Sequence, residues 1–233
     1  PSKHYHLSPS ASDRWLACPG SLAMSEGIPR KGNEYTEEGE RAHSIAELLL
    51  RGKPLPAEVP EDMVENVLVY VRFVEELRKN QLLAEEIEFT QKCADIGGLG
   101  GTADYFCLFE EDGSIVMHFV DLKYGVGVTV DPENNSQLLT YAVIVDSHYP
   151  DMIDRVRLTI VQPRAIDGDT VKSWECGIED VHHHRARILE AIGKEDVVAG
   201  DHCRWCPAAV KCPVLREQAQ LVAEQEFNAL GRM

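Results

Sequence analysis

The sequence predicts an α/β fold in which a central mixed sheet is flanked by helices. Three observations predict it. Helical periodicity dominates the chain up to Asn80, β-type alternation takes over from Glu86 to Lys123, and helix and strand patterns then follow one another to Ile192.

Taken in order, Ser8-Pro-Ser10-Ala-Ser12 precedes Asp13-Arg-Trp15-Leu-Ala-Cys18-Pro19, a capped short helix that stops at the proline and delivers Cys18 at its end. From Glu37 to Leu50, Ala42, Ile45, Ala46 and Leu49 recur at helical spacing, and Gly52 supplies a stop. His43 lies beside that stripe. A second helix is expected from Pro60 to Asn80 through Met63, Val67, Val71 and Val74. Glu86 to Thr90 alternates as a strand, and the glycines from Gly97 to Gly101 lead into a second strand over Thr102–Phe109. Asp112-Gly113 is a strong two-residue hairpin turn before a third strand, Ser114–Lys123. Asp131-Pro132 signals a helix start, with Gln137, Leu138, Tyr141 and Val145 inside the helix. Arg155–Gln162 and Trp174–Ile178 read as strands, and Glu179–Ile192 as a helix.

The chain has 233 residues, enough for one good core, and no Gly/Ser- or Pro-rich stretch divides it. One domain over 1–233 is expected, with its core at about 34–192. No apolar run approaches the roughly 20 residues of a spanning helix, and the first residues lack the apolar core of a signal peptide. A cytoplasmic protein without membrane contact is expected. The formal net charge of −16 argues against holding nucleic acid by bulk electrostatics, so any such contact has to be local. Basic residues cluster at Arg155, Arg157 and Arg164, at Arg185 and Arg187, and at Arg204, Lys211 and Arg216, each group read first as solvated surface.

Seven cysteines, an odd number, favour reduced thiols or metal ligation over a disulfide framework. Cys203, Cys206 and Cys212 form a C-x2-C-x5-C run, and Cys18 stands far upstream before Pro19. These four look like the ligands of one metal site that ties segments at about 8–20 and 200–216 together; spacing alone suits zinc and an iron-sulfur cluster equally. Cys93, Cys107 and Cys176 read as buried small hydrophobes. Trp205, between two ligands, reads as a shield for that site or a surface for stacking bases. The run His182–His184 reads as a solvent-facing helix edge.

If Asp112-Gly113 is the hairpin turn, Asp104 falls opposite Asp121, and Lys123 shares their face. Two carboxylates and an ammonium group on one patch suit hydrolysis of a phosphodiester. Paired carboxylates hold a hard divalent cation, and the lysine positions water or stabilises developing charge. Asp104 and Asp121 are the candidate metal ligands, joined by the backbone carbonyl of Leu122 and by His43 from the preceding helix. Gln137 and Tyr141, four apart on one helix, face the phosphate or the lysine. Glu88 reads as a solvated strand acid rather than a member of the site.

Gly101-Thr-Ala-Asp104, Asp121-Leu-Lys123, Gln137-Leu-Leu-Thr-Tyr141, the early His43 and the four cysteines together resemble the PD-(D/E)XK nuclease superfamily, in its group of RecB- and AddB-like iron-sulfur exonucleases, and within it a phage or prophage family. The resemblance covers almost the whole chain. It implies a restriction-endonuclease-like core, a [4Fe-4S] cluster on Cys18, Cys203, Cys206 and Cys212 joining the N- and C-terminal segments, and Mg2+ or Mn2+ at His43, Asp104, Asp121 and Leu122. It further implies a deoxyribonuclease that processes DNA ends, single- or double-stranded, in recombination or repair beside a phage single-strand-binding or recombination protein, with oligomers possible. The alternatives from other classes are a non-catalytic nucleic-acid-binding module, stapled by zinc or iron-sulfur, and a redox-sensing regulator.

Overall fold

The computed structural model describes residues 5–29, 32 and 34–230, with side chains through Gln225. In chain order it contains a 3-10 turn at Pro9–Ala11, helices α1 (Ser12–Ala17), α2 (Ser21–Met24), α3 (Glu34–Leu50) and α4 (Glu61–Leu77), then strands β1 (Leu82–Lys92), β2 (Gly100–Glu111) and β3 (Ser114–Leu122). Helix α5 (Ser136–Asp146), strands β4 (Arg155–Val161) and β5 (Val171–Gly177) and helix α6 (Ile178–Ile192) follow. Two further 3-10 turns at Asp201–Trp205 and Ala209–Lys211 lead into α7 (Pro213–Leu230). None of the described helices is long and apolar enough to cross a membrane.

The chain divides into two compact units, one of Pro1–Pro9 with Gly32–His184, the other of Ser10–Lys31 with Arg185–Met233. The first holds one mixed sheet in the order β1-β2-β3-β4-β5, antiparallel except for the parallel pair β3 and β4. A parallel pair needs a crossover, and α5 lies within it. One sheet face buries Tyr105, Cys107, Phe109, Val116, Val120 and Leu122 under α3 and α4, which contribute Ala42, Ile45, Val67 and Val71. Period-two alternation sends Phe106 and Phe119 the other way, where Phe89, Phe106, Phe119 and Tyr141 of α5 form a chain of ring contacts. Helix α5 is apolar on nearly every side and is buried from Leu138 to Asp146.

The hairpin register is the expected one. Glu111 pairs with Ser114 and Tyr105 with Val120, and Asp112 and Gly113 take the left-handed φ values of 54° and 76° that a type I′ turn needs. The start of α5 is a correction. Asn135, not the Asp131-Pro132 pair, caps the helix: its side-chain oxygen accepts from the Leu138 N–H at 3.1 Å while its amide donates to the Asp131 carbonyl at 3.0 Å. Asp131 to Asn135 is thus spent on a turn that sets up the cap. The N-terminus of α1 is a second correction, because Ala11 stands at the cap position and offers no side-chain acceptor.

In the second unit, Trp15 is fully buried, and α1 packs on the turn at Asp201–Trp205. Gly20 is required there. Its N–H donates to the Asp196 carbonyl at 2.8 Å, and a Cβ would stand 2.5 Å from the Glu195 carbonyl oxygen and 2.6 Å from a Val197 methyl.

Candidate metal and catalytic site

Strands β2 and β3 stop exchanging ladder bonds after Tyr105 and Val120, one residue short of the two aspartates. Asp104 substitutes its side chain for the missing backbone partner, and its Oδ2 accepts the Leu122 N–H at 2.7 Å. Its other oxygen, Oδ1, lies 3.0 Å from Nδ1 of His43 on α3. The opened strand end therefore turns a carboxylate toward a histidine that a core-facing helix holds in place.

Glu88 joins them. Among the described residues, His43, Glu88 and Asp104 are the group of His, Cys, Asp or Glu side chains that brings three ligand atoms within 4.8 Å of one another. Glu88 sits in β1 with a left-handed φ of 54°, a conformation that costs a non-glycine residue on the order of 1 kcal/mol or more. Burial, reinforced by the Asp104 charge, raises its carboxyl pKa to about 7. Burial works against the imidazolium of His43, yet Asp104 outweighs it and brings that pKa up to about 9. Burial likewise opposes the charge on Asp104, and His43 prevails and holds its pKa below the usual carboxylate value. The group thus keeps a proton where a cation would satisfy it, and a metal ion seated there would displace that proton.

Asp121 lies next to this group but is engaged elsewhere. Lys123 Nζ contacts its Oδ2 at 2.8 Å, Gln137 Nε2 donates to its Oδ1 at 3.0 Å, and Lys123 Nζ donates to Gln137 Oε1 at 2.8 Å. The three side chains close a ring of polar contacts at the carboxyl end of β3, beside β4. Burial lowers the basicity of Lys123, but the Asp121 carboxylate more than compensates, so the lysine is held protonated. Tyr141 donates to the Thr102 carbonyl, which fixes α5 to β2 just upstream of Asp104. Leu122 packs in the core and pairs with Val161.

An orphan donor points to something the protein atoms do not supply. The hydroxyl of Tyr70, on α4, is buried with no hydrogen-bond partner among the described residues, and Asp104, Asp121 and Glu88 all act on it electrostatically. A buried unpaired hydroxyl is costly. A hydrated cation beside these carboxylates would give it a partner, and the His/carboxylate donor set suits Mg2+ or, with the imidazole, Mn2+.

Sequence reasoning underrated Glu88 and missed Tyr70 and Gln162. The Gln162 side chain is buried beyond β4, donates to the carbonyls of Gly125 and Val128 at 3.1 and 2.8 Å, and accepts from Val130 N–H at 3.0 Å. It pins the loop that follows Lys123. A glutamine after an alternating strand was the available signal, but nothing in the sequence says which loop it reaches. The first basic cluster is spent on ion pairs, Arg155 and Arg157 with Glu111 and Glu175, and Arg164 with Glu38. The histidine run divides: His182 and His183 are exposed, but His184 is buried against the Thr140 hydroxyl at 2.9 Å, because α6 turns that position inward.

In the other unit, Cys18 and Cys212 are buried while Cys203 and Cys206 are half-buried. Backbone N–H groups point at three of the four sulfurs: Val198 at Cys18 (3.4 Å), Gly200 at Cys203 (3.4 Å) and Leu215 at Cys212 (3.5 Å). Such donors stabilise thiolate charge, which is the form that binds metal. Cys93, Cys107 and Cys176 are buried, as expected of small hydrophobes. Trp205, between Cys203 and Cys206 in the sequence, is 73% exposed.

Several solved structures are similar to this chain, among them these two. One is the crystal structure of a protein designated SSO0001, at 13% identity and a TM-score of 0.39, over 89% of this chain and 85% of that one. The other is an alkaline exonuclease, LHK-Exo, from Laribacter hongkongensis, at 11% identity and a TM-score of 0.32, over 80% of this chain and 93% of that one. Neither likeness is close enough to fix fold or function, which rest on the chain's own residues. The family is closer at hand: a model described as a protein of unknown function, DUF2800, matches residues 4–233, and the chain belongs to that family.

Proposed function

We propose that this protein is a divalent-metal-dependent deoxyribonuclease with a restriction-endonuclease-like core, and that it acts as an exonuclease on DNA ends. The observation that carries the reading is the adjacency of two polar assemblies on one sheet end, His43–Glu88–Asp104 and Asp121–Lys123–Gln137. A protonated lysine locked by a carboxylate and an amide is costly to bury and has a ready task beside a cation site, the stabilisation of negative charge on a phosphate.

His43, Glu88 and Asp104 are the residues that would hold Mg2+ or Mn2+, with Asp121 and the Leu122 carbonyl within the same strand end. When bound, the cation supplies charge relief at the phosphate and acidifies water. Lys123 presents Nζ to the phosphate oxygen that gains charge. Asp121 and Gln137 hold that ammonium group in one rotamer and keep it protonated. Tyr141 and Gln162 fix, respectively, the helix and the loop on either side of the lysine. Tyr70 offers its spare hydroxyl to the polar contents of the site.

The four cysteines are read as ligands of a [4Fe-4S] cluster, supported by the amide donors at three of the sulfurs and by the C-x2-C-x5-C spacing. Its role here is to staple the segments that carry it, with no redox step needed. Work at DNA ends beside a phage recombination or single-strand-binding protein follows from the resemblance of the motifs.

The test uses anaerobically purified protein with end-labelled linear DNA and covalently closed circular DNA, with Mn2+ or Mg2+ added or chelated. Degradation of the linear DNA alone, dependent on metal, supports the exonuclease. Cutting of the circle replaces exonuclease with endonuclease action, and no metal-dependent cutting of either DNA overturns the reading.

A further inference from the structure

Trp205 presents an indole 73% exposed to solvent, two residues past Cys203, and Val210 close by in sequence is 99% exposed. An uncovered ring of this size on a turn offers a flat face to a partner. The guanidinium of Arg204 lies 5.1 Å from the ring centroid and braces one face of it. The surrounding charge is the second observation. Between Gly200 and Arg216 the chain carries Arg204, Lys211 and Arg216 against the single acid Asp201, in a protein whose net charge is −16. Arg204, Lys211 and Arg216 are exposed and make no ion pair among the described residues, whereas Arg155, Arg157 and Arg164 are all neutralised by glutamates.

We infer that Trp205 and Arg204 form a stacking platform for unpaired nucleic-acid bases, with Lys211 and Arg216 meeting the phosphates. A flat aromatic face takes any base, a braced ring loses little entropy on stacking, and unpaired cations attract a backbone that the rest of this acidic protein repels. The choice of a nucleic acid as partner rests on the proposed function; the stacking assignment is read separately from cutting.

The experiment measures fluorescence anisotropy of a labelled 20-nucleotide oligo(dT), an abasic strand of equal length and a blunt duplex, with the cofactor-loaded full chain and divalent ions chelated. Wild type, Trp205→Ala and Trp205→Phe are compared, each also carrying Lys123→Ala, with circular dichroism and bound-metal content as checks on folding. Trp205→Ala is expected to weaken oligo(dT) binding about tenfold, from one stacked base, while Trp205→Phe stays within about threefold of wild type and the abasic strand is unaffected. Unchanged binding by Trp205→Ala, an equal loss on the abasic strand, an equal Trp205 dependence on the duplex, or no binding of any DNA by wild type overturns the platform. If oligo(dT) binding depends on Trp205 while the native chain cuts nothing, the platform stands and the nuclease reading falls.

Discussion

The acid-lysine patch and the cysteine set are two polar constructions resting on unlike supports. Asp104, Asp121 and Lys123 project from the centre of a five-stranded sheet, with His43 supplied by a helix that packs one apolar face into the core and Gln137 by a largely buried one. Every member has a protein partner before any ligand arrives. Cys203 stands on a 3-10 turn that Cys206 ends, and Cys212 follows another only three residues long. Turns of this kind fix few residues by themselves. The difference teaches that the first set is preorganised by folding, whereas the second, on the proposed reading, would be completed by the cluster it holds.

That contrast can be broken most decisively at the staple. Cys203→Ser is expected to abolish cofactor content and to open Asp201–Lys211 to protease, while β2 and β3 keep their native amide-exchange protection. Mass spectrometry of proteolysis and exchange reads both; exchange lost equally from the sheet would make the two regions one cooperative structure.

The sheet has a limit of its own at low pH. His118 on β3 is buried against the Thr159 hydroxyl at 2.8 Å, with Nδ1 unpartnered among the described residues, and burial, helped by the charge on Arg157, depresses its pKa to about 3. The folded state therefore stays neutral there while the unfolded chain takes up a proton below about pH 6.5. This stabilisation is present in full above pH 6.5 and is lost as pH falls toward 3, by up to about 4–5 kcal/mol. Urea midpoints across that range should fall more steeply for wild type than for His118→Leu; parallel slopes would remove His118 from the account.

The smallest effect belongs to the seam that brings the two ends of the cysteine unit together. Gly20→Ala places a Cβ against the Glu195 carbonyl and is expected to cost about 1–3 kcal/mol through overpacking, seen as a lower thermal midpoint for that unit at unchanged cofactor load. A midpoint equal to wild type would mean that the seam yields freely.

Much of the patch was legible because strand pairing is arithmetic. Once Asp112-Gly113 is recognised as the turn, the positions of Asp104 and Asp121 follow, and the observed register agrees through Tyr105–Val120. The helical repeat made the placement of Gln137 beside Lys123 legible, whereas Tyr141 instead donates to the Thr102 carbonyl. Glu88 was not, because an acid in an exposed-looking strand gives no sign that a left-handed kink and the nearby His43 will draw it into a site. Tyr70 was hidden for the opposite reason: it fits the apolar stripe of α4, and a hydroxyl without a partner is visible only after packing. The start of α5 was misplaced because proline is the louder signal and Asn135 the better cap.

The proposed nuclease requires Lys123 to be held at the sheet end for chemistry rather than for stability. Its most direct test is the initial rate of nucleotide release from linear DNA in Mg2+ or Mn2+, for wild type and Lys123→Ala at matched cofactor content and thermal midpoint. A rate reduced by about 100-fold or more with the fold intact is predicted, on the scale of losing one charge-stabilising group. Undiminished cutting by Lys123→Ala would contradict it and dismiss the Asp121–Lys123–Gln137 ring as a catalytic site.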